Sequence, residues 1–186
     1  MFIDNYINDV KLLIDDLNKE DISKASNEIY DAYSKDKQVF IMGNGGSAST
    51  SSHFACDLAK GTIVEGKKRF RVMSLNDNMA IITAFSNDYG YEHVFSEQLK
   101  NLVNEGDVVI AISASGNSPN VVEGIKYAKE KGASIIGFCG FAGGKLKELS
   151  DIYIHIESNS YGQVEDIHMF LSHMISLDIR EKLLNN

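Results

Sequence analysis

The chain has 186 residues, a length that suits one domain able to bury about 70% of its unfolded surface. Its net charge of −8 and its pI near 5.1 argue against sequence-independent binding to nucleic acid or to an anionic membrane, which needs basic patches. No apolar run approaches the ~20 residues of a membrane span, and no signal peptide is visible at the N-terminus. Cys56 and Cys139 lack any metal-type spacing, so we expect a reduced, cytoplasmic setting.

Two amphipathic helices are predicted ahead of the first strand. Apolar residues recur at helical spacing over residues 2–18 and again over about 21–35. Helices of this kind need an apolar surface to cover, and in an α/β chain another subunit often provides it.

The stretch Gly43–Gly61 follows a predicted buried strand, Gln38–Met42, and combines a glycine-rich turn with a hydroxyl-rich helix start. A strand, turn and helix in this order direct backbone N–H groups and a helix N-terminus at an anion. Ser47 adds a hydroxyl donor, and His53 and Asp57 fall four residues apart on one face of the helix. The stretch therefore predicts a phosphate site followed by a His/carboxylate pair.

Strands and helices alternate through the rest of the chain. Further strands are predicted at 71–75, 108–112, 133–139 and 152–156. Helices are predicted at 76–85, 92–103, 119–131, 143–149 and 162–183, with a turn at 86–90. The alternation predicts an α/β fold with a doubly wound, five-stranded parallel sheet, two N-terminal helices and a long C-terminal helix. We expect one domain over residues 1–186, with 1–36 as a helical extension and 37–186 as the α/β core.

Two of the predicted strands end in serine- and glycine-rich turns, Gly43–Ser47 and Ser113–Ser118. In open α/β sheets, ligands bind outside the carboxyl ends of the strands at the point where the strand order reverses. Two such turns meeting there would surround a phosphate with donors, although each alone is equally compatible with a simple tight turn. The loose pattern G-x-G-x-x-G/A at Gly43, Gly45 and Ala48 is a weaker signal for a dinucleotide, and a P-loop motif is absent.

The last predicted helix carries Glu165 and His173 on one broad face, two turns apart. With His53 and Asp57 they make a candidate four-member site of two imidazoles and two carboxylates. Such a set suits a divalent metal, with zinc first, and it equally suits proton transfer without a metal. His168 either supports this site or is simply packed.

These segments together resemble, in chain order, the pattern of the phosphoheptose isomerases of the sugar-isomerase (SIS) domain superfamily. The matching segments are Gly43–Ser47, His53–Ala55, Ser86–Gly90, Gly106–Val108, Ser113–Ser118, Gly143–Gly144, Glu165–His168 and His173. The resemblance covers essentially the whole chain. It implies a flavodoxin-like SIS fold, a homotetramer with active sites between subunits, and conversion of sedoheptulose 7-phosphate to D-glycero-D-manno-heptose 7-phosphate.

The resemblance also implies roles for individual residues. The implied phosphate-binding turns contribute Ser47, Ser113, Ala114, Ser115 and Ser118. The implied sugar-site lining is Asn44, Gly45, Gly46, Asn87 and Asp88. The implied metal ligands are His53, Asp57, Glu165 and His173, and the acid/base chemistry falls on His173 with Asp57 or Glu165.

Four positions depart from the family pattern. Asp57 replaces a Glu, Glu165 replaces a Gln, Ala114 replaces a usual Thr, and Gly61 replaces an Arg. The site is therefore more anionic than the family's, which favours a metal. The departures leave open which carboxylate moves the proton and whether the substrate is sedoheptulose 7-phosphate or a related ketose phosphate.

Two non-enzymatic alternatives remain. A SIS-domain partner of the bacterial replication initiator resembles phosphoheptose isomerases, but it lacks the histidine that corresponds to His173. A sugar-phosphate-sensing regulatory domain is normally attached to a DNA-binding segment, for which two acidic N-terminal helices leave no room. The two histidines and two carboxylates of this chain favour an enzyme.

Overall fold

The computed structural model describes residues 1–185, and its five strands form one parallel sheet in the order β2-β1-β3-β4-β5. The strands are β1 (Gln38–Gly43), β2 (Arg71–Ser74), β3 (Val108–Ser113), β4 (Ser134–Cys139) and β5 (Ile152–His155). The α-helices are α1 (Phe2–Asp15), α2 (Lys19–Ser34), α3 (Gly46–Cys56), α4 (Met79–Tyr89), α5 (Val94–Leu102), α6 (Pro119–Glu130), α7 (Gly144–Leu149) and α8 (Tyr161–Asn185). The predicted doubly wound sheet, the N-terminal helix pair and the long C-terminal helix are confirmed.

The sheet separates two apolar cores, one on each face. On β3, Val108 and Ile110 point into the core that α2, α3 and α8 cover. Val109 and Ala111 point into the core that α5, α6 and α7 cover. The uninterrupted apolar sequence of β3 therefore follows from burial on both faces of the sheet.

The strand order reverses between β1 and β3, which pair directly in parallel. Val39 of β1 lies opposite Val108, and Gly43, the last residue of β1, lies opposite Ile112. The turns that follow these two strands consequently leave the same edge of the sheet side by side. This is the position at which open α/β sheets bind their ligands.

The helix after β2 extends further than the sequence predicted. Residues 86–90 have a turn-like composition, but α4 continues through Tyr89, so the predicted turn is wrong. The side chain of Asn78 caps the helix by accepting a hydrogen bond from the N–H of Ile81 (3.1 Å). Gly90, with φ +94°, ends it. The glycine, which adopts this backbone conformation at little cost, outweighs the preference of Ser, Asn and Asp for turns.

Two helices, α1 and α4, contain no buried residue. Phe2 and Ile3 on α1 are 81% and 70% exposed, and Met79 on α4 is 67% exposed. Both helices therefore turn apolar side chains outward. Among the described residues, no helix combines the length and the apolar character needed to cross a lipid bilayer.

Candidate active site

The turn after β1 is fixed by close backbone contacts. A Cβ atom on Gly43 would lie 2.7 Å from Cβ of Ser47 and 2.9 Å from the carbonyl oxygen of Ile112. Only glycine fits there. The side chain of Asn76 pairs with the same residue, because its Nδ2 donates to the Gly43 carbonyl (2.8 Å) and its Oδ1 accepts from the Gly43 N–H (3.2 Å). The chain thus enters α3 along one defined path.

The turn after β3 rests on the loop that follows β4. Gly116 has φ +65°, and a Cβ atom on it would lie 1.9 Å from the carbonyl oxygen of Gly143. The carbonyl of Gly116 accepts a hydrogen bond from the N–H of Leu146 (2.9 Å). Ser118 precedes α6 but does not cap it with its hydroxyl, which lies 3.0 Å from the hydroxyl of Ser113. These two hydroxyls therefore stand together at the mouth of the turn.

The two turns line a common cavity of about 140 Å³ at the switch point. Its lining is Asn44, Ser47, Ile112, Ser113, Ala114, Ser115, Ser118, Tyr161 and Glu165. The structure therefore brings together the four serines predicted to bind the phosphate, along with Ala114. Hydroxyl donors beside the N-termini of α3 and α6 suit an anionic group such as a phosphate.

The carboxylate of Glu165 lies against Gly46, the first residue of α3. A Cβ atom on Gly46 would come within 2.3 Å of Oε2 and 2.6 Å of Oε1 of this carboxylate. The missing side chain at position 46 therefore makes room for Glu165. The N-terminal end of a helix also stabilises a nearby negative charge. Gly46, predicted to line the sugar site, is not in the lining of the serine-turn cavity, but its missing side chain leaves room for the Glu165 carboxylate, which is.

His53, Asp57 and His173 form a compact cluster further along the chain segments of α3 and α8 than this cavity. Nε2 of His53 lies 2.8 Å from Nε2 of His173, and Oδ2 of Asp57 lies 3.4 Å and 3.8 Å from these two nitrogens. His53 comes from α3, and His173 comes from α8. Asp57 begins a π-helical turn, Asp57–Gly61, that continues α3. Such irregular turns are frequent at functional sites.

The four predicted metal ligands are thus divided by the structure. Three of them, His53, Asp57 and His173, offer ligand atoms that all lie within 4.8 Å of one another. Glu165 is not in that group, and its carboxylate lines the cavity between the serine turns instead.

Asp57 carries an unsatisfied oxygen at the centre of the cluster. Its Oδ2 is buried and makes no hydrogen bond, although two imidazole nitrogens lie within 4 Å. Leaving a buried acceptor unpaired costs about 1–3 kcal/mol, and more when the group is charged. Two imidazoles and a carboxylate are a donor set typical of catalytic zinc, which uses three protein ligands and keeps a further position open. These residues therefore fit a divalent metal.

Asn87 and Asp88, two predicted sugar-site residues, lie on the exposed last turn of α4. The amide of Asn87 donates a hydrogen bond to Oδ1 of Asp88 (2.8 Å). Neither residue is in the lining of the serine-turn cavity. The described chain does not bring them to the phosphate site.

Three residues near the site were missed by the sequence reasoning: Asn120, Tyr91 and Tyr161. Asn120 exchanges two hydrogen bonds with Asn44, each 2.8 Å long, and the hydroxyl of Tyr91 donates to the same Asn44 (2.9 Å). Tyr161 lines the cavity one helical turn before Glu165. The sequence did contain a signal for two of them. Tyr161 lies four residues before Glu165 on the same helix, and Asn120 follows directly after the second serine turn.

His168 is packed in the core and not in the site. Its side chain is fully buried, neither ring nitrogen has a hydrogen bond of normal geometry, and its ring centroid lies 5.9 Å from that of Phe138. Burial lowers the pKa of His168 to about 4, and the nearby backbone of Cys139 opposes this shift only in part. A neutral imidazole at this depth behaves as a packing residue.

Known proteins resemble this chain over most of its length. Residues 5–140 match the family model described as SIS domain. A probable phosphoheptose isomerase of Thermoplasma acidophilum is 40% identical over 166 residues, which span 89% of this chain and 91% of that protein. The chain belongs to the phosphoheptose isomerase family of SIS domains. A second phosphoheptose isomerase, from Rhodospirillum rubrum, is 39% identical over 138 residues, or 74% of this chain and 73% of that protein.

Solved phosphoheptose isomerases share the fold. The enzyme from Neisseria gonorrhoeae superposes with a TM-score of 0.87 at 28% identity, over 96% of this chain and 94% of that one. The one from Francisella tularensis gives a TM-score of 0.89 at 24% identity, over 97% and 95% of the two chains. The resemblance to phosphoheptose isomerases noted in the sequence is confirmed.

Proposed function

We propose that this chain is an aldose–ketose isomerase that converts sedoheptulose 7-phosphate to D-glycero-D-manno-heptose 7-phosphate. The observation that carries the proposal is that α3 and α8 place a carboxylate in the serine-lined cavity and two imidazoles with a second carboxylate in one cluster. The reaction moves one proton between C1 and C2 through an enediol, while another group moves the hydroxyl proton. A carboxylate and an imidazole suffice for both transfers.

The serine turns bind the phosphate in this proposal. Ser47, Ser113, Ser115 and Ser118 offer hydroxyl donors around one cavity. Hydrogen bonds to a charged group contribute about 1.5–3 kcal/mol each, more than those between neutral groups. The phosphate is remote from the reacting carbons, so its binding energy serves to position the carbonyl end of the sugar.

Asp57 takes the carbon-bound proton in this proposal, and His173 moves the proton on oxygen. Their positions support that choice. Glu165 lines the phosphate cavity, whereas Oδ2 of Asp57 lies 3.8 Å from Nε2 of His173 in the cluster. The two carboxylates that make the site more anionic are thus separated in the structure. Glu165 lies in the serine-turn cavity, and Asp57 lies in the cluster with His53 and His173.

His53, Asp57 and His173 are the proposed ligands of a divalent metal, with zinc the first choice. Their support is the donor set and the unsatisfied Oδ2 of Asp57. A bound metal supplies Lewis-acid polarisation of the substrate carbonyl.

We also propose that residues 1–186 form one domain and that the chain assembles into a cytoplasmic homotetramer. Its ligand is a sugar phosphate, and neither nucleic acid nor a membrane is a partner. The exposed apolar side chains of α1 and α4 support self-association. A neighbouring copy is also a means of bringing Asn87 and Asp88 to a sugar site. Cys56 and Cys139 are free thiols, which suits a reducing compartment.

The test is to incubate the purified protein with sedoheptulose 7-phosphate and to follow the appearance of the aldose phosphate. Fructose 6-phosphate and ribulose 5-phosphate are run in parallel, each with added zinc and with a chelator. We expect sedoheptulose 7-phosphate to be isomerised faster than fructose 6-phosphate and ribulose 5-phosphate. Isomerisation of a shorter sugar alone would correct the substrate, and no aldose from any of the three would overturn the proposal. Full activity in metal-free protein would show that the reaction does not need a metal.

A further inference from the structure

The side chain of Asn44 is held by two residues that lie far away in the sequence. Its Nδ2 donates to Oδ1 of Asn120 (2.8 Å), and its Oδ1 accepts from Nδ2 of Asn120 (2.8 Å). The hydroxyl of Tyr91 donates to the same Oδ1 of Asn44 (2.9 Å). Both acceptor positions of this oxygen are therefore occupied by protein donors.

A backbone group fixes the direction of the whole network. The N–H of Val121 donates to Oδ1 of Asn120 (3.0 Å), and a backbone N–H can only donate. This bond identifies the oxygen of Asn120, so its amide nitrogen must face Oδ1 of Asn44. The nitrogen of Asn44 must then face the oxygen of Asn120. The orientation of the Asn44 amide is thus set by the main chain at the start of α6.

One donor of Asn44 is left over. An amide nitrogen carries two N–H groups, and in the described chain only one of those on Asn44 has a protein acceptor. Asn44 lines the serine-turn cavity of about 140 Å³ and also an adjoining open cavity of about 490 Å³, where Tyr91 and Asn120 lie. Asn120 is only 1% exposed, so the network supports Asn44 from the buried side.

We propose that Asn120 and Tyr91 are positioning residues that orient the amide of Asn44, so that its second N–H donates to a sugar hydroxyl of the bound sugar phosphate. The inference rests on the proposed isomerase function and adds the means by which the enzyme selects the sugar apart from its phosphate. Neither Asn120 nor Tyr91 needs to touch the substrate. Their contribution is to keep a donor, and not an acceptor, directed at the cavity.

The substitution Asn120→Asp tests the orientation directly. Aspartate keeps the oxygen that accepts from Val121 but replaces the donor that faces Oδ1 of Asn44 with an acceptor. Two oxygens then face each other whichever way the Asn44 amide is turned, so the two-bond pair is lost and Asn44 moves away from residue 120. Its second N–H is then no longer directed at the sugar. We expect KM to rise about tenfold while kcat changes less than twofold, because one neutral hydrogen bond is lost.

Tyr91→Phe provides a second variant that leaves the core intact, since Tyr91 is 53% exposed. Loss of its hydroxyl frees one side of the Asn44 oxygen, and we expect KM to rise about threefold. The matched control is Gln98→Ala. Gln98 is also a buried amide, 5% exposed, and it donates to the carbonyls of Leu75 and Val94 without touching Asn44. This control should lower the melting temperature and leave KM unchanged.

Binding is measured alongside turnover with two unreactive probes, the alditol made by reducing sedoheptulose 7-phosphate and inorganic phosphate alone. Tyr91→Phe should weaken binding of the alditol phosphate and leave phosphate binding unchanged. Asn120→Asp also adds a negative charge near the phosphate site, so it should weaken both probes, and the alditol phosphate more than phosphate. Equal loss of both probes, or unchanged affinity for the alditol phosphate in the two variants, would overturn the inference. If the wild-type protein isomerises none of the ketose phosphates, the proposed function fails. The alditol comparison still decides the role of Asn120 and Tyr91.

Discussion

The serine turns and the His–Asp cluster share the helices α3 and α8 but are held in place in different ways. The turns are shaped by backbone contacts at glycines, such as Gly43 against Ile112 and Gly116 against Gly143. The cluster is made of side chains, and the imidazoles of His53 and His173 are about half exposed. Substitutions of the glycines in the turns should therefore destabilise the fold, whereas substitutions in the cluster should lower the turnover rate without destabilising the fold.

The largest effect is expected from His173→Ala. Removing an acid/base group costs roughly 10²–10⁴ in rate, and the side chain of His173 is 50% exposed, so the fold should persist. The rate constant kcat and the thermal melt are measured together. His93→Ala is the control, because the imidazole of His93 takes no part in the cluster. A variant that keeps full turnover would remove His173 from the mechanism.

Gly116→Ala tests the other side of the comparison. The new Cβ would lie 1.9 Å from a backbone oxygen at φ +65°, so the free energy of unfolding should fall by about 3 kcal/mol or more. Urea denaturation measures the change. Gly66→Ala separates the two causes, since Gly66 has φ +78° with no atom within 4 Å and should lose only about 1 kcal/mol. Equal losses in the two variants would contradict the close contact with Gly143.

His168 permits a test of the buried face of α8 without touching the site. Its pKa falls from 6.5 to about 4 on folding, so the unfolded chain binds the proton more tightly. The stability that depends on neutral His168 is present above pH 6.5 and is lost as the pH falls toward 4. Between pH 7 and pH 5 we expect the free energy of unfolding to drop by about 2 kcal/mol from this group. His168→Gln should remove this part of the dependence of the free energy of unfolding on pH. An unchanged dependence would show that His168 is not its source.

Ser115→Ala should give the smallest of these effects. Its hydroxyl oxygen accepts from the N–H of Asn117 (3.3 Å), and its own O–H remains available to a phosphate. Loss of this donor should raise KM about tenfold, equivalent to about 1.5 kcal/mol, with kcat and the melting temperature nearly unchanged. Ser49→Ala, outside the cavity lining, is the matched control. A KM unchanged in both variants would argue that the second turn does not bind the phosphate.

Most of the fold could be predicted because its signals are local. The apolar run of β3 and the glycine-rich turns after β1 and β3 each act within a few residues, so their positions were predicted nearly to the residue. The turn at 86–90 was wrong because residue preferences alone do not show that Gly90 is the true end of α4.

The division of Glu165 from His173 could not be predicted from spacing. Eight residues of an α-helix advance about 12 Å and turn the side chain by about 80° beyond two full turns, so the two groups reach different neighbours. Likewise, Asn44 and Asn120 are 76 residues apart, and no local pattern joins two amides at that separation.

The contact between Gly46 and Glu165 links two positions that are far apart in the sequence. Because the carboxylate fills the space that a side chain at position 46 would need, the two residues cannot vary independently. Any homologue or engineered variant with a larger residue at 46 must move or shorten the group at 165 as well. A double-mutant cycle across this pair would then show strong non-additivity. A side chain at position 46 therefore has to be designed together with the group at position 165.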